Sequence, residues 1–420
     1  MRADTTGDIL RAPGFGLRKA SGYRYVVSTA AETTPTSLHG TRGRLHVPMR
    51  ARSPHEPHRV ATPLELLFDL VFVVAIAEAA SGLHHAVAEA HVAQGLAGYA
   101  MVFFAIWWAW MNFTWFASAY DTDDVPYRLA VFVQITGALI VAGGIPAMFE
   151  SRVPNLAVIG GYVVMRMAMV VQWLRAAGAD RERCTTARRY AAGIAMMQIL
   201  WVGTLFLPSF GPLVFAACAA GELAVPMWAE RASRTLWHPH HIAERYGLLT
   251  LIVFGESILS ATTAVQAAVA AGERLAALAP IIAGGMLTVY SLWWFYFDRP
   301  AHDLLTNMRR SFIWGYGHYF VFASAAAVGA GLGVAVDRVG GHVAIGPAAA
   351  GMAVAIPVAA FLLCLWTLND RPEYAQTRAL GPVTAALVLA TPFTPEPVLW
   401  TGVTLSALVA VKLLMRRGSV

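Results

Sequence analysis

The sequence predicts an all-α, polytopic transmembrane helix bundle of about twelve spans, which a fuzzy internal echo divides into two six-helix repeats. Three observations predict it. Of its residues, 57% are hydrophobic and only 13% charged, where soluble domains carry about 25% charged residues. Apolar runs long enough to cross a bilayer follow one another from Thr62 onward, with short connections between them. The arginines of those connections alternate in number from one loop to the next.

Residues 1–58 differ from the rest. They are rich in Arg, Gly, Ser, Thr and Pro and hold no apolar run of signal-peptide length, so they read as a disordered basic cytoplasmic tail. The predicted spans are 63–85, 95–118, 127–149, 155–176, 188–207, 210–229, 241–266, 276–297, 311–333, 344–368, 377–392 and 396–414. The eleventh is the weakest, being short and bounded by Pro382 and Pro392. Residues 59–229 form the first six-helix half, and 230–420 the second.

Loop charge fixes the expected orientation. The even-numbered connections hold Arg128; Arg175, Arg181, Arg183, Arg188 and Arg189; Arg231 and Arg234; Arg299, Arg309 and Arg310; Arg371 and Arg378. Against these thirteen, the alternate connections offer Arg152, Arg274 and Arg338. With Lys412, Arg416 and Arg417 at the C-terminus, the bias places both termini in the cytoplasm of a bacterial inner membrane. Losing one helix would spoil the alternation, so an even number of spans is favoured.

The halves echo each other. The first span carries Glu65 and then Glu78; the seventh carries Glu244 and then Glu256. The spans that follow share aromatic clusters, WWAWMNF at Trp107–Phe113 and LWWFYF at Leu292–Phe297. Six helices per half implies parallel repeats about an axis along the membrane normal.

Charges inside the spans carry the functional argument. A carboxylate at the centre of a membrane helix costs about 2.5–3.5 kcal/mol on insertion scales, so anchoring alone does not explain it. The expected polar core or transport path comprises Asp69, Glu78, Arg166, Glu222 and Glu256. Glu65, His241, Glu244 and Arg245 are expected at a cytoplasmic mouth. At 100° per residue, Glu65 and Asp69 share one face of their helix while Glu78 points away, about 13 Å further along. Arg166 cannot neutralise itself and needs a partner; Asp69 or Glu78 lead, with Glu222 next. A structural ion pair remains open for Arg166, a first-turn acid for Glu65, and lipid phosphate for Arg245.

Other chemistry is thin. The HPHHIAE string at His238–Glu244 has ligand-type residues but lacks a complete second cluster, so no metal and no cofactor are assigned. His84, His85 and His91 fall in the first outward loop, facing solvent; His318 is either packed among aromatics or part of a proton relay. Cys184, Cys218 and Cys364 are scattered. No P-loop, dinucleotide fingerprint or hydrolase elbow occurs, and the GxxxG at Gly329–Gly333 is too common in membrane helices to be informative. The dispersed positive charge is no nucleic-acid footprint; the implied partners are membrane lipids and a small solute or ion, with oligomeric state unassigned.

TPLELLFDLVFV at Thr62–Val73, ERYGLLTLIVFGESIL at Glu244–Leu259 and YGHY at Tyr316–Tyr319 together resemble the bacterial low temperature requirement protein A (LtrA) family over nearly the whole chain after residue 60. The resemblance implies a polytopic inner-membrane protein associated by name with growth in the cold, and supplies no activity or site residues. FDLVFVVAI also resembles the FSD-bearing helix of the lysosomal potassium channel family, which is built from six-helix repeats. Three classes stay open: a transporter or ion-conducting protein, a structural or stress-adaptation protein, and a lipid-modifying membrane enzyme, for which loops this short leave little room.

Overall fold

A computed structural model describes residues 45–57, 59–151, 155–207, 209–305, 307–370 and 379–417. Most of the expected tail and the loop arginines Arg152, Arg371 and Arg378 lie outside them. Among the described residues the chain forms helices and no strand. The twelve α-helices are α1 (Pro63–Ala88), α2 (Val92–Tyr120), α3 (Val125–Ser151), α4 (Leu156–Ala179), α5 (Cys184–Gly203) and α6 (Pro212–Ala229), followed by α7 (Pro239–Ala270), α8 (Leu275–Phe297), α9 (Met308–Val339), α10 (Pro347–Leu365), α11 (Leu380–Ala390) and α12 (Pro397–Arg417).

Ten of them are long and apolar enough to cross a membrane. The exceptions have local causes: α5 carries Arg188 and Arg189 near its start, and α11 has only 11 residues. The outer faces are apolar, with Leu129 58%, Ile199 66% and Leu213 87% exposed. This is a surface suited to lipid and not to water.

Helix starts follow the capping rules. At α1, Thr62 Oγ1 accepts from Glu65 N, the Glu65 side chain accepts from Thr62 N, and Pro63 sits at the first position, giving a complete capping box. Asn155 accepts from Val158 N at α4, and Asn307 from Arg310 N at α9. Several helices outrun their expected ends. α1 continues to Ala88, which moves His84 and His85 from the expected loop into the helix. His84 does not face open solvent; its Nε2 lies 2.7 Å from Asp337 Oδ2 on α9.

The neighbour order α1–α3–α4–α5–α6 recurs as α7–α9–α10–α11–α12, and α1 packs on both α7 and α9. α9 is the most enclosed of the ten apolar helices, and its glycines explain how. A methyl group at Gly329 would lie 2.8 Å from Ser257 Cα of α7, and one at Gly333 3.0 Å from the His84 ring of α1. One at Gly331 would overlap the Ala353 carbonyl of α10. The two glycines set aside on sequence, with Gly331 between them, are therefore where the backbones of α7 and α10 and the His84 ring of α1 press against α9.

The end of the bundle where α1 begins is called the near end, and the end where it finishes the far end. Residues 45–57, inside the stretch read as tail, lie against the near end: Met49 is 1% exposed, Val47 N donates to Asp124 Oδ2, and Arg52 N donates to Ala119 O.

Candidate functional site

Two charged clusters are built into the bundle. The first joins α1 to α7. Asp69 and Arg245 are both fully buried; Arg245 Nε donates to Asp69 Oδ2 at 2.9 Å and Nη2 to Oδ1 at 2.5 Å. Trp110 Nε1 of α2 adds a third donor to Asp69, at 2.6 Å. One turn earlier on α1, Glu65 Oε1 lies 3.0 Å from Arg245 Nη1, 3.1 Å from His241 Nε2 and 3.6 Å from Arg59 Nη2. Arg59 in turn reaches Asp121 at 3.5 Å, and Arg52 reaches it at 3.3 Å. Charge thus runs from the near surface to the second turn of α1.

The register of α1 and α7 places these groups. Glu65 and Asp69 are one turn apart on α1, His241 and Arg245 one turn apart on α7, so two facing ladders meet rung to rung. Arg245 does not meet lipid phosphate, and Glu65 is more than a first-turn acid: it caps its helix with one oxygen and meets Arg245 with the other. The two contacts on Arg245 differ in quality. The Asp69 pair is an aligned fork, whereas Arg245 Nη1 has no aligned hydrogen bond despite its closeness to Glu65.

The second cluster lies within α2, α4, α5 and α6. Arg166 Nη2 donates to Glu222 Oε2 at 2.8 Å, and both residues are buried. The same carboxylate accepts from Trp108 Nε1, Tyr162 Oη, Gln198 Nε2 and Trp201 Nε1 at 2.9–3.3 Å. The leading partners for Arg166, Asp69 and Glu78, are both displaced by the runner-up. The physical reason is packing: Asp69 already faces α7, while α4 packs chiefly on α3 and α5. Trp108 and Trp110 are two residues apart, about 200° around α2, so one indole serves each cluster.

The five residues expected to share one polar core therefore divide among separate places. Glu78 is half-buried on α1 and lines a cavity of about 810 Å³ at the far end, with His85, Glu89, Pro146 and Glu150 among its walls. Glu256 is half-buried on α7, with one carboxylate oxygen enclosed and lacking a hydrogen-bond partner. Neither makes an ion pair among the described residues. Glu244 accepts from Ala61 N at 3.1 Å and lines, with Arg59, His238 and His240, a second cavity of about 1030 Å³ at the near end.

Other expectations resolve in the same geometry. His318 is packed among Trp314, Tyr246 and Tyr296, with Nδ1 2.7 Å from Trp314 O and Nε2 3.1 Å from the Tyr296 hydroxyl. No group of three or more His, Cys, Asp or Glu among the described residues is arranged to hold a metal ion, including the His238–Glu244 string. Sequence reading missed Arg59, Asp121 and the two indoles. Arg59 lies in the segment before α1 and Asp121 caps the end of α2, where charge is ordinary, and an indole donor is indistinguishable in sequence from a packing residue.

Outside the spans, burial pushes the Asp121 carboxyl up to about 6, and the nearby Glu65 charge adds to this against Arg59 and Arg52. Inside, Arg245 stays charged under all accessible conditions. The cluster can therefore exchange a proton at its carboxylates or at the His241 imidazole, with the guanidinium as the fixed counter-charge.

Residues 60–415 match the family described as Bacterial low temperature requirement A protein (LtrA). This chain belongs to that family. It is also 25% identical over 273 residues to a protein of Rhizobium meliloti (strain 1021) named only as uncharacterized, covering 60% of this chain and 64% of that one. This LtrA-family chain is a helical, multi-pass membrane protein. The TPLELLFDLVFV segment supplies Glu65 and Asp69 and the ERYGLLTLIVFGESIL segment supplies Arg245, so the two segments that carry the LtrA resemblance face each other across the first cluster.

Proposed function

We propose that this protein transports or conducts a small solute or ion across the bacterial inner membrane, with both termini cytoplasmic and two six-helix halves meeting at α1, α7 and α9. One observation carries the reading: cavities of about 1030 Å³ and 810 Å³ enter from opposite ends, and the Glu65–Arg245–Asp69 cluster stands between them on α1. Acidic side chains line both, Glu244 at the near end and Glu78 at the far end. Between them Phe68 and Phe72 are buried, so a continuous wet path is closed. A charged lock between two half-channels suits a protein that opens to one side at a time, because parting α1 from α7 would free Asp69 and Glu65 for a cation or proton.

A structural role has one observation in its favour, the Arg166–Glu222 cluster. Five donors on a single enclosed carboxylate leave little for a ligand to do. On this proposal it holds the first half together while the α1–α7 cluster works.

Proteoliposomes loaded with a pH-sensitive dye and with monovalent cations test the reading. Wild-type flux that is lost in Glu78→Gln and Asp69→Asn, with unfolding temperature kept in the former, supports it. A folded wild-type protein passing no ion, proton or small solute would leave the structural role standing.

A further inference from the structure

At the near end, between α2, α4, α5, α6 and α9, lies a partly open pocket of about 50 Å³, separate from both large cavities. Its walls are aromatic: Trp115 and Trp237 meet edge to face at 5.1 Å, and Phe312 and Tyr316 do so at 5.4 Å. Polar groups stand among them, Asn112 and Thr235 together with Glu230 and Ser311. Glu230 accepts from the Tyr190 hydroxyl at 2.9 Å and from Thr235 N at 2.9 Å, and also from the Thr235 hydroxyl, yet no basic side chain pairs with it among the described residues. Ser311 is fully buried, and its hydroxyl has no hydrogen-bond partner.

We infer that this pocket binds a small organic cation of the methylated ammonium class. Aromatic faces present negative potential that attracts a desolvated cation, which is why aromatic cages recognise quaternary ammonium groups. Glu230 supplies the unneutralised charge, and Ser311 an oxygen without a partner. An anion would meet both the carboxylate and the ring faces with the wrong sign. A hard metal ion would want several carboxylates, and Glu230 is the one carboxylate among the residues that line the pocket. Allowing 10–15 Å³ per water-sized sphere, the space holds roughly three to five heavy atoms, the size of a methylated ammonium headgroup. The pocket also adjoins the α1–α7 cluster, since Trp115 Nε1 donates at 3.0 Å to the hydroxyl of Tyr246, the neighbour of Arg245. The inference concerns equilibrium binding and does not rest on transport.

The test uses the purified full chain in detergent, titrated with tetramethylammonium chloride while tryptophan fluorescence is followed. Sodium chloride at matched ionic strength and tert-butanol, a neutral molecule of similar size, are the controls. Saturable quenching by tetramethylammonium alone is expected, weakened about tenfold in Glu230→Gln. Gly315→Ala is expected to weaken it too, because the added methyl would lie 3.2 Å from Tyr246 Oη and 3.3 Å from Trp115 Cζ2, at the pocket wall. Absence of saturation in the wild type, or equal binding of tert-butanol, overturns the inference. So does unchanged affinity in a folded Glu230→Gln variant. The comparison of charged with neutral probe on the wild type decides the matter even where a variant fails to fold.

Discussion

Asp69 and Arg245 are 176 positions apart in the chain and meet as an aligned two-point fork, at 2.9 and 2.5 Å, with no exposure of either side chain. Such a pair is costly to break from one side, because the survivor is left as an uncompensated buried charge.

Asp69→Asn and Arg245→Gln should therefore each lower stability by about 3–5 kcal/mol, while a doubly apolar variant, Asp69→Leu with Arg245→Leu, should lose much less than the sum. Thermal unfolding in detergent, read as a double-mutant cycle, measures the coupling. Additive losses would mean that the fork contributes nothing as a pair.

Asp121 gives a pH signature. Its folded carboxyl titrates near 6, above the usual value of about 3.8, so the folded protein holds this proton more tightly than the unfolded chain does. The stability contributed by this group is accordingly present below about pH 4 and lost as pH rises towards 6, by at most about 1.4 kcal/mol per unit. Asp121→Asn should remove that decline. The quantity to measure is the difference in unfolding free energy between wild type and variant from pH 4 to pH 7; a difference independent of pH would refute the assignment. The difference is the appropriate readout because neighbouring Glu56 and Asp124 are shifted down and push the overall profile the other way.

Two glycines should respond to the same substitution with opposite signs. Gly331→Ala forces a methyl into the Ala353 carbonyl of α10, where backbone must move, and should cost about 1–3 kcal/mol. Gly143→Ala on α3 meets nothing within 4 Å and should stabilise its helix by about 0.5–1 kcal/mol. Unfolding temperatures of the two variants, compared in one detergent, would separate close approach from simple helix propensity.

The sites were legible in sequence as residue types and not as partnerships. Glu65, Asp69, Arg166, Glu222, His241 and Arg245 each stood out because a charge inside an apolar run has a cost that must be offset. Periodicity also placed Glu65 with Asp69 on one face, and the structure keeps them there. What periodicity does not supply is the identity of the facing helix. Arg166 illustrates the gap: nothing local distinguishes Asp69, Glu78 and Glu222 as its partner, and the choice follows from α4 packing on α5, which in turn packs on α6.

The sequence by itself determined the element list of twelve helices, read as twelve spans where ten of the described helices are long and apolar enough to cross a membrane, because apolar composition and helix caps are properties of short contiguous segments. Tertiary structure alone decided which charges meet, that α9 sits at the centre through Gly329, Gly331 and Gly333, and that cavities open at both ends of α1. The physical reason is that helix formation is satisfied within the segment by its own backbone hydrogen bonds, whereas a buried charge is satisfied only by whichever distant helix the packing brings against it.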